Sequence, residues 1–123
     1  MNEVTYLNEP IGIIIWSENF EELLNFYETV LEVPCTKKKE NSAYFQWGNF
    51  KFTIANHSEI KGKSKDPNRF MINIKVEDIE NTTKKLLKYG VNFIRMPEKE
   101  KWGGKVATFE DPENNRVNLI QII

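Results

Sequence analysis

The chain is poor in the side chains that do covalent or metal chemistry. It carries one histidine, His57, and one cysteine, Cys35, whereas zinc, nickel and iron sites draw on imidazole, thiolate and carboxylate together. His57 ends an extended run beside a polar stretch and reads as a surface side chain. Glu110, Asp111 and Glu113 crowd one turn, but carboxylates at a turn are ordinarily solvated and make at best a weak cation site. The aromatic residues are the richer group. Trp16, Tyr44, Phe45, Trp47 and Trp102 exceed what an aliphatic core absorbs. Indole supplies flat apolar area and one donor, which suits stacking on a planar ligand or a cation. The plainer reading, packing on a small sheet or at a subunit interface, is preferred for Phe45 and Trp47.

The elements that must hold these residues follow from periodicity. Ile11 to Trp16 is a short β-branched run of the kind that forms a buried strand. From Phe20 the period changes: Phe20, Leu23, Leu24, Tyr27 and Leu31 put one apolar stripe along a helix. Asn19, with Glu22 three places on, predicts the helix start, and Pro34 lies just past its end. Extended segments follow at Cys35 to Lys39, Ala43 to Trp47 and Phe50 to Asn56, and Gly48-Asn49 predicts a tight hairpin.

The second half repeats the plan. Phe70 to Val76 reads as a strand, Asp78 as a cap, Ile79 to Tyr89 as a helix stopped by Gly90. Strands are expected at Asn92 to Met96, Val106 to Glu110 and Arg116 to Gln121. Ile13, Ile15, Asn19 and Phe20 overlay Ile72, Ile74, Asp78 and Ile79 at one constant offset, which marks an internal repeat. The polar stretch Ser58 to Arg69 reads as the linker, and Pro97 to Lys105, with Trp102-Gly103-Gly104, as a mobile flap or a plain hairpin loop. The expectation is one domain over residues 1–123, with module one at about 8–57, the linker at about 58–69 and module two at about 70–123.

Size and charge narrow the function classes. At 123 residues the chain can bury a core unaided, and its single cysteine forms no internal disulfide. The N-terminus lacks the basic start and apolar run of a signal peptide, so the cytoplasm is the expected compartment. The longest apolar run falls far short of the ~20 residues that cross a bilayer. With 17 basic against 18 acidic residues there is no broad field to attract phosphate backbones or anionic lipid. Neither nucleic acid nor membrane is an expected partner.

Taken in order, Trp16-Ser17-Glu18-Asn19-Phe20 into Asn25-Phe26-Tyr27, Val76-Glu77-Asp78-Ile79 into Leu87-Lys88-Tyr89-Gly90-Val91, and Phe109 to Leu119 around Asp111-Pro112 resemble the vicinal oxygen chelate superfamily, also called glyoxalase/bleomycin resistance/dioxygenase. The resemblance spans nearly the whole chain. It implies an α+β fold of two βαβββ modules, with curled mixed sheets around a shared cleft, helices on the outer faces, and usually a homodimer. It also implies a divalent metal held by His, Glu or Gln at four strand positions, which fall on Gly12, Thr53, Met71 and Asn118. Glycine offers no donor, the Met71 thioether is too soft for a hard cation, and Thr53 and Asn118 have only neutral oxygens.

Strand alternation extends those positions to two faces. Gly12, Ile14 and Trp16, Lys51, Thr53 and Ala55, Met71, Asn73 and Lys75, and Arg116, Asn118 and Ile120 are expected to line the cleft. Ile13, Ile15, Phe52, Ile54, Ile72, Ile74, Val76, Val117 and Leu119, with Leu23, Tyr27 and Leu86, are expected to form the core. The cleft set has no histidine, cysteine or carboxylate, so catalysis would fall to Lys51, Lys75 or the flap, and strand-edge lysines are ordinarily solvated charges. The expected function is a metal-free binding protein, without cofactor, that holds a small, partly apolar ligand through Trp16, Thr53, Met71, Asn73, Trp102, Arg116 and Asn118. The alternative is a lyase, isomerase or dioxygenase-like enzyme acting on a small oxygenated metabolite with an unusual or absent metal site.

Overall fold

The computed structural model describes Tyr6, Leu7 and residues 9–122. The outer limits of the two expected modules, at residues 8 and 123, lie outside the described residues. Strand β1 (Gly12–Ser17) leads into helix α1 (Phe20–Asn25), then β2 (Cys35–Lys39), β3 (Ser42–Trp47) and β4 (Phe50–Asn56). The order recurs as β5 (Met71–Lys75), α2 (Ile79–Lys88), β6 (Asn92–Lys99), β7 (Lys105–Glu110) and β8 (Arg116–Gln121). Each half makes a four-stranded mixed sheet, β1-β4-β3-β2 and β5-β8-β7-β6, in which the first strand pairs in parallel with the last. This is the α+β arrangement of two βαβββ modules.

Local chemistry accounts for the element ends. The Asn19 side chain accepts from the Glu22 amide at 3.4 Å, and Asp78 accepts from Asn81 at 3.1 Å, so each helix starts on a side-chain oxygen that satisfies an otherwise free donor. In α2 the Ile79 amide also finds the Gln121 side-chain oxygen at 2.7 Å, which ties the helix start to the last strand. Gly48, at φ +63°, makes the two-residue turn between Trp47 and Phe50, which face each other across the hairpin.

Two segments differ from expectation. The first helix does not stay α to its end, because Phe26–Val30 widens into a π-helical turn, with the Leu31 amide bonded to the Phe26 carbonyl at 2.9 Å. The widening lets neighbouring Phe26 and Tyr27 both reach the core. The second difference is at Pro97. Strand β6 runs through it to Lys99, and only residues 100–104 turn, closed by the Glu100 amide on the Gly104 carbonyl at 2.8 Å. The segment is therefore a short hairpin loop.

The core lies between the sheets and their helices. Tyr27, Phe45, Phe52 and Phe109 are fully buried with Leu23, Ile54, Ile79 and Val117, and each such side chain contributes about 1.5–3 kcal/mol of transfer free energy. Tyr27 packs on Phe52 at 4.9 Å between ring centroids, and Phe52 on Phe45 at 5.5 Å. Ile13 and Ile15 face Phe52 and Ile54 across the β1–β4 pair, and Ile72 and Ile74 face Val117 and Leu119 across β5–β8. Core and outward-facing residues alternate along these strands as expected.

A set of contacts at the β7–β8 turn joins the modules, beside a surface ion pair of Lys85 with Glu32 at 2.9 Å. The Tyr27 hydroxyl donates to Asp111 at 2.8 Å, the Ser17 hydroxyl donates to Glu113, and the Asn19 amide reaches the same carboxylate at 3.3 Å. Phe26 and Phe109 rings meet at 6.2 Å beside them. The β7–β8 turn of the second module is thereby seated on the β1–α1 junction of the first.

Candidate functional site

Strands β1 and β5 each stand at the edge of their sheet, and the seam between them is open. A cavity of about 520 Å³ lies at one end, walled by Trp47 and Phe50 from the first module and by Met71, Asn73 and Ile74 from the second. Another, of about 420 Å³, lies at the other end between Ile14, Trp16, Ile60, Phe70 and Arg116. Ile13, Met71 and Ile72 border both, so the two cavities form one trough along the seam. Ile14, Trp16 and Met71 are 50%, 45% and 42% exposed on its wall, a high share for apolar side chains on one surface.

A small polar network backs the trough wall at Asn73 and Met71. Thr108 donates to the Asn118 side-chain oxygen at 2.6 Å, and the Asn118 amide donates to Asn73 at 2.9 Å and to the Met71 sulfur at 3.3 Å. These bonds fix the orientation of Asn118 and Asn73 without any ligand. Arg116 is held too, by Glu110 at 2.6 Å and Asn68 at 3.2 Å. Its charge is neutralised at the rim.

Of the expected ligand residues, Trp16, Met71 and Arg116 meet at one end of the trough, and Met71 and Asn73 meet at the other with Asn118 bonded to both. Thr53, Trp102 and Asn118 line neither cavity, and Asn118 only backs Asn73 and Met71. Thr53 lies one strand in from the seam, between Ile14 and Tyr44. Trp102 folds back over Gly104, where an added Cβ would collide with the indole ring. Trp47, Phe50, Ile60 and Phe70 were not expected in the site. Trp47 does pack on Phe52, at 5.6 Å, and in addition faces the seam. No local pattern could reveal this, since it depends on where the second module sits.

The four positions at which the resemblance implies a metal do not fit one. Gly12 supplies no donor, and a Cβ there would run into the Lys51 carbonyl of β4. The Asn118 oxygen is already engaged by Thr108, and its amide points at the Met71 sulfur. Among the described residues, no group of three or more His, Cys, Asp or Glu side chains converges where it could hold a metal ion. His57 is occupied: its Nδ1 accepts from the Glu59 amide at 3.0 Å, and its ring abuts Trp16 at 5.1 Å.

The carboxylates of the β7–β8 turn are structural. Asp111 is 2% exposed and accepts from Tyr27, from the Glu113 and Asn115 amides and from the Asn115 side chain, all within 2.9 Å. Burial raises its pKa above the usual carboxylate value, and those donors offset part of the rise. Burial likewise raises Glu113, against the donors Ser17 and Asn19. Tyr27 is pushed well up, by burial first and then by the adjacent Asp111 charge.

Known proteins resemble this chain in sequence and in fold. A Bacillus subtilis (strain 168) protein, the uncharacterized protein YraH, is 26% identical over 117 residues, covering 85% of this chain and 91% of that protein. A glyoxalase/bleomycin resistance protein/dioxygenase family enzyme from Burkholderia phytofirmans PsJN superposes with a TM-score of 0.76 at 16% identity, over 92% of this chain and 98% of that one. A lactoylglutathione lyase from Agrobacterium tumefaciens gives 0.76 at 11% identity, over 95% and 96%. At such identities the two structures speak for the fold alone. The family model of the Glyoxalase/Bleomycin resistance protein/Dioxygenase superfamily matches residues 11–119, and the chain belongs to that superfamily.

Proposed function

We propose that this chain is a single-domain, metal-independent binding protein that holds a small, partly apolar molecule in the trough between β1 and β5. In this reading it works in the cytoplasm as a homodimer, without a cofactor. Trp16 and Met71 supply the apolar contact, and the Asn73–Asn118 pair and Arg116 supply fixed polar edges. The observation that carries the reading is a coincidence of two features. The four positions where relatives of this fold hold a metal lack a workable donor set, while an open, largely apolar trough is kept beside them. Clefts of this volume with a few fixed polar groups are typical small-molecule sites.

The test uses an uncharged aromatic probe, phenylnaphthylamine, followed by quenching of tryptophan emission. Saturable binding is expected, weakened at least ~10-fold by Met71→Arg, which puts a long charged side chain into the trough. Absence of saturable binding, or binding indifferent to Met71→Arg, would refute the site. Elemental analysis after dialysis addresses the metal: stoichiometric divalent ion in the purified protein would overturn metal independence.

A further inference from the structure

The inter-module segment, which the sequence marks only as a polar linker, builds a second compartment against the trough. A cavity of about 440 Å³ is walled by Lys61, Lys63 and Lys65 on one side and by Trp16 and Asn115 on the other. Trp16, Ile60 and Asn115 also line the apolar cavity at that end of the seam. The two spaces therefore share the indole as a common wall, with aliphatic and aromatic side chains on one side of it and the lysine-bearing linker on the other. Lys63 stands between this compartment and a neighbouring one that Glu110 and Asp111 border.

The lysines are presented from an anchored backbone. The Gly62 amide donates to the Glu18 carboxylate at 2.7 Å, and the Ser64 amide donates to the Glu113 carbonyl at 2.8 Å, so the chain is tied on both sides of Lys63. Lys61 has Glu18 at 3.9 Å, a loose exposed pair. Among the described residues, Lys63 and Lys65 form no ion pair. The acidic groups on this wall are Glu59 and Glu113, and the Glu113 carboxylate is turned inward onto Ser17 and Asn19. The mouth of the compartment is left with more unpaired positive than negative charge, beside an apolar floor.

From this juxtaposition we propose that the ligand is an amphipathic anion: a flat apolar body lying against Trp16 in the trough, with a carboxylate, sulfonate or phosphate group reaching Lys63 and Lys65. The proposal rests on the binding reading above and names the chemical class that reading leaves open. An ammonium gains most from an anion held beside low-dielectric, water-excluding walls, and such attraction weakens as salt screens it. A neutral molecule of the same shape would fill the trough but forgo the lysines.

The test compares phenylnaphthylamine with its sulfonated counterpart, anilinonaphthalene sulfonate, on the full chain. The sulfonate is expected to bind at least ~10-fold tighter than the neutral probe at low salt, with the advantage shrinking as ionic strength rises. The double variant Lys63→Gln/Lys65→Gln should bring the two probes within ~2-fold while leaving the neutral probe unchanged. Lys37→Gln/Lys39→Gln, on the far edge strand β2, should keep the wild-type preference. Equal binding of the two probes, a preference that survives loss of Lys63 and Lys65, or one equally lost in the β2 variant would overturn the anion assignment while the trough still binds. If neither probe binds, the binding reading falls as well.

Discussion

Gly12 shows how a single close backbone approach can constrain a residue type. Its Cα lies so near the Lys51 carbonyl that any side chain would force β1 and β4 apart. Gly12→Ala is expected to destabilise the fold by about 1–3 kcal/mol, read as a lower urea midpoint, even though the site is exposed. An unchanged midpoint would mean that the strand edge yields freely. Tyr27 makes the complementary case. Tyr27→Phe removes the hydroxyl that donates to Asp111 from the first module and should cost about 1–3 kcal/mol. Asp111 itself sets a pH dependence, with the Tyr27 hydroxyl, Asn115 and Glu113 as its neighbours. Its folded pKa lies above the ordinary 3.8, so the native state holds the proton more tightly. The stability it lends is greatest below that ordinary value and declines as pH rises through the folded pKa. The deficit of Asp111→Asn against the wild-type chain should therefore narrow as pH rises from the ordinary carboxylate value through the raised folded pKa, read by equilibrium unfolding. A widening deficit would contradict the assignment.

At the level of elements, the helix starts can be tested directly. Asn19→Ala and Asp78→Ala should each lower stability by about 0.5–2 kcal/mol, measured by denaturant titration. Asn19 should be the more sensitive to a nearby change, because its amide also serves Glu113. Both caps were legible in the sequence, since a cap is a conversation between residues three apart. The strands were legible for the same reason: alternation along β1, β5 and β8 separates inward from outward residues. Even so, Ile13, Ile72 and Ile74 of the core set also border the trough, and Ala55 of β4, expected in the cleft, is buried beside Ile54. The π-helical turn at Phe26–Val30 was not legible. It exists because Phe26 must meet Phe109 and Tyr27 must meet Asp111, partners more than eighty positions away. The reach of β6 through Pro97 is hidden from the sequence in the same way, because proline argues against a strand until its place on an edge is known. The site was read in part. Trp16, Met71, Asn73, Arg116 and Asn118 came from strand parity, whereas Trp47, Phe50 and the linker lysines face the seam only because of how the modules are set against each other.

On the scale of the whole molecule, two half-cups leave edges and apolar surface in the open. Ile14, Trp16 and Met71 along the trough are joined in exposure by Phe70 at 80%. Contiguous surface of this kind is usually covered by a ligand or by another subunit. A homodimer is expected, and light scattering at micromolar concentration should return twice the 14.5 kDa of one chain. The mass of a single chain would rule it out, and the trough would then have to be sealed by its ligand alone. Among the described residues, no helix is long and apolar enough to cross a membrane.

The seating of the last turn on the first strand also dictates a timetable. Ser17 and Tyr27 leave the ribosome 96 and 84 residues ahead of the carboxylates that receive their hydroxyls. Until Asp111 and Glu113 emerge, the nascent amino-terminal half has two hydroxyls to keep hydrated and cannot reach its final packing. Contacts of such long range slow folding. A polypeptide released early, at the junction between the repeats, would accordingly be a substrate for chaperones or proteases and not a miniature of the native protein.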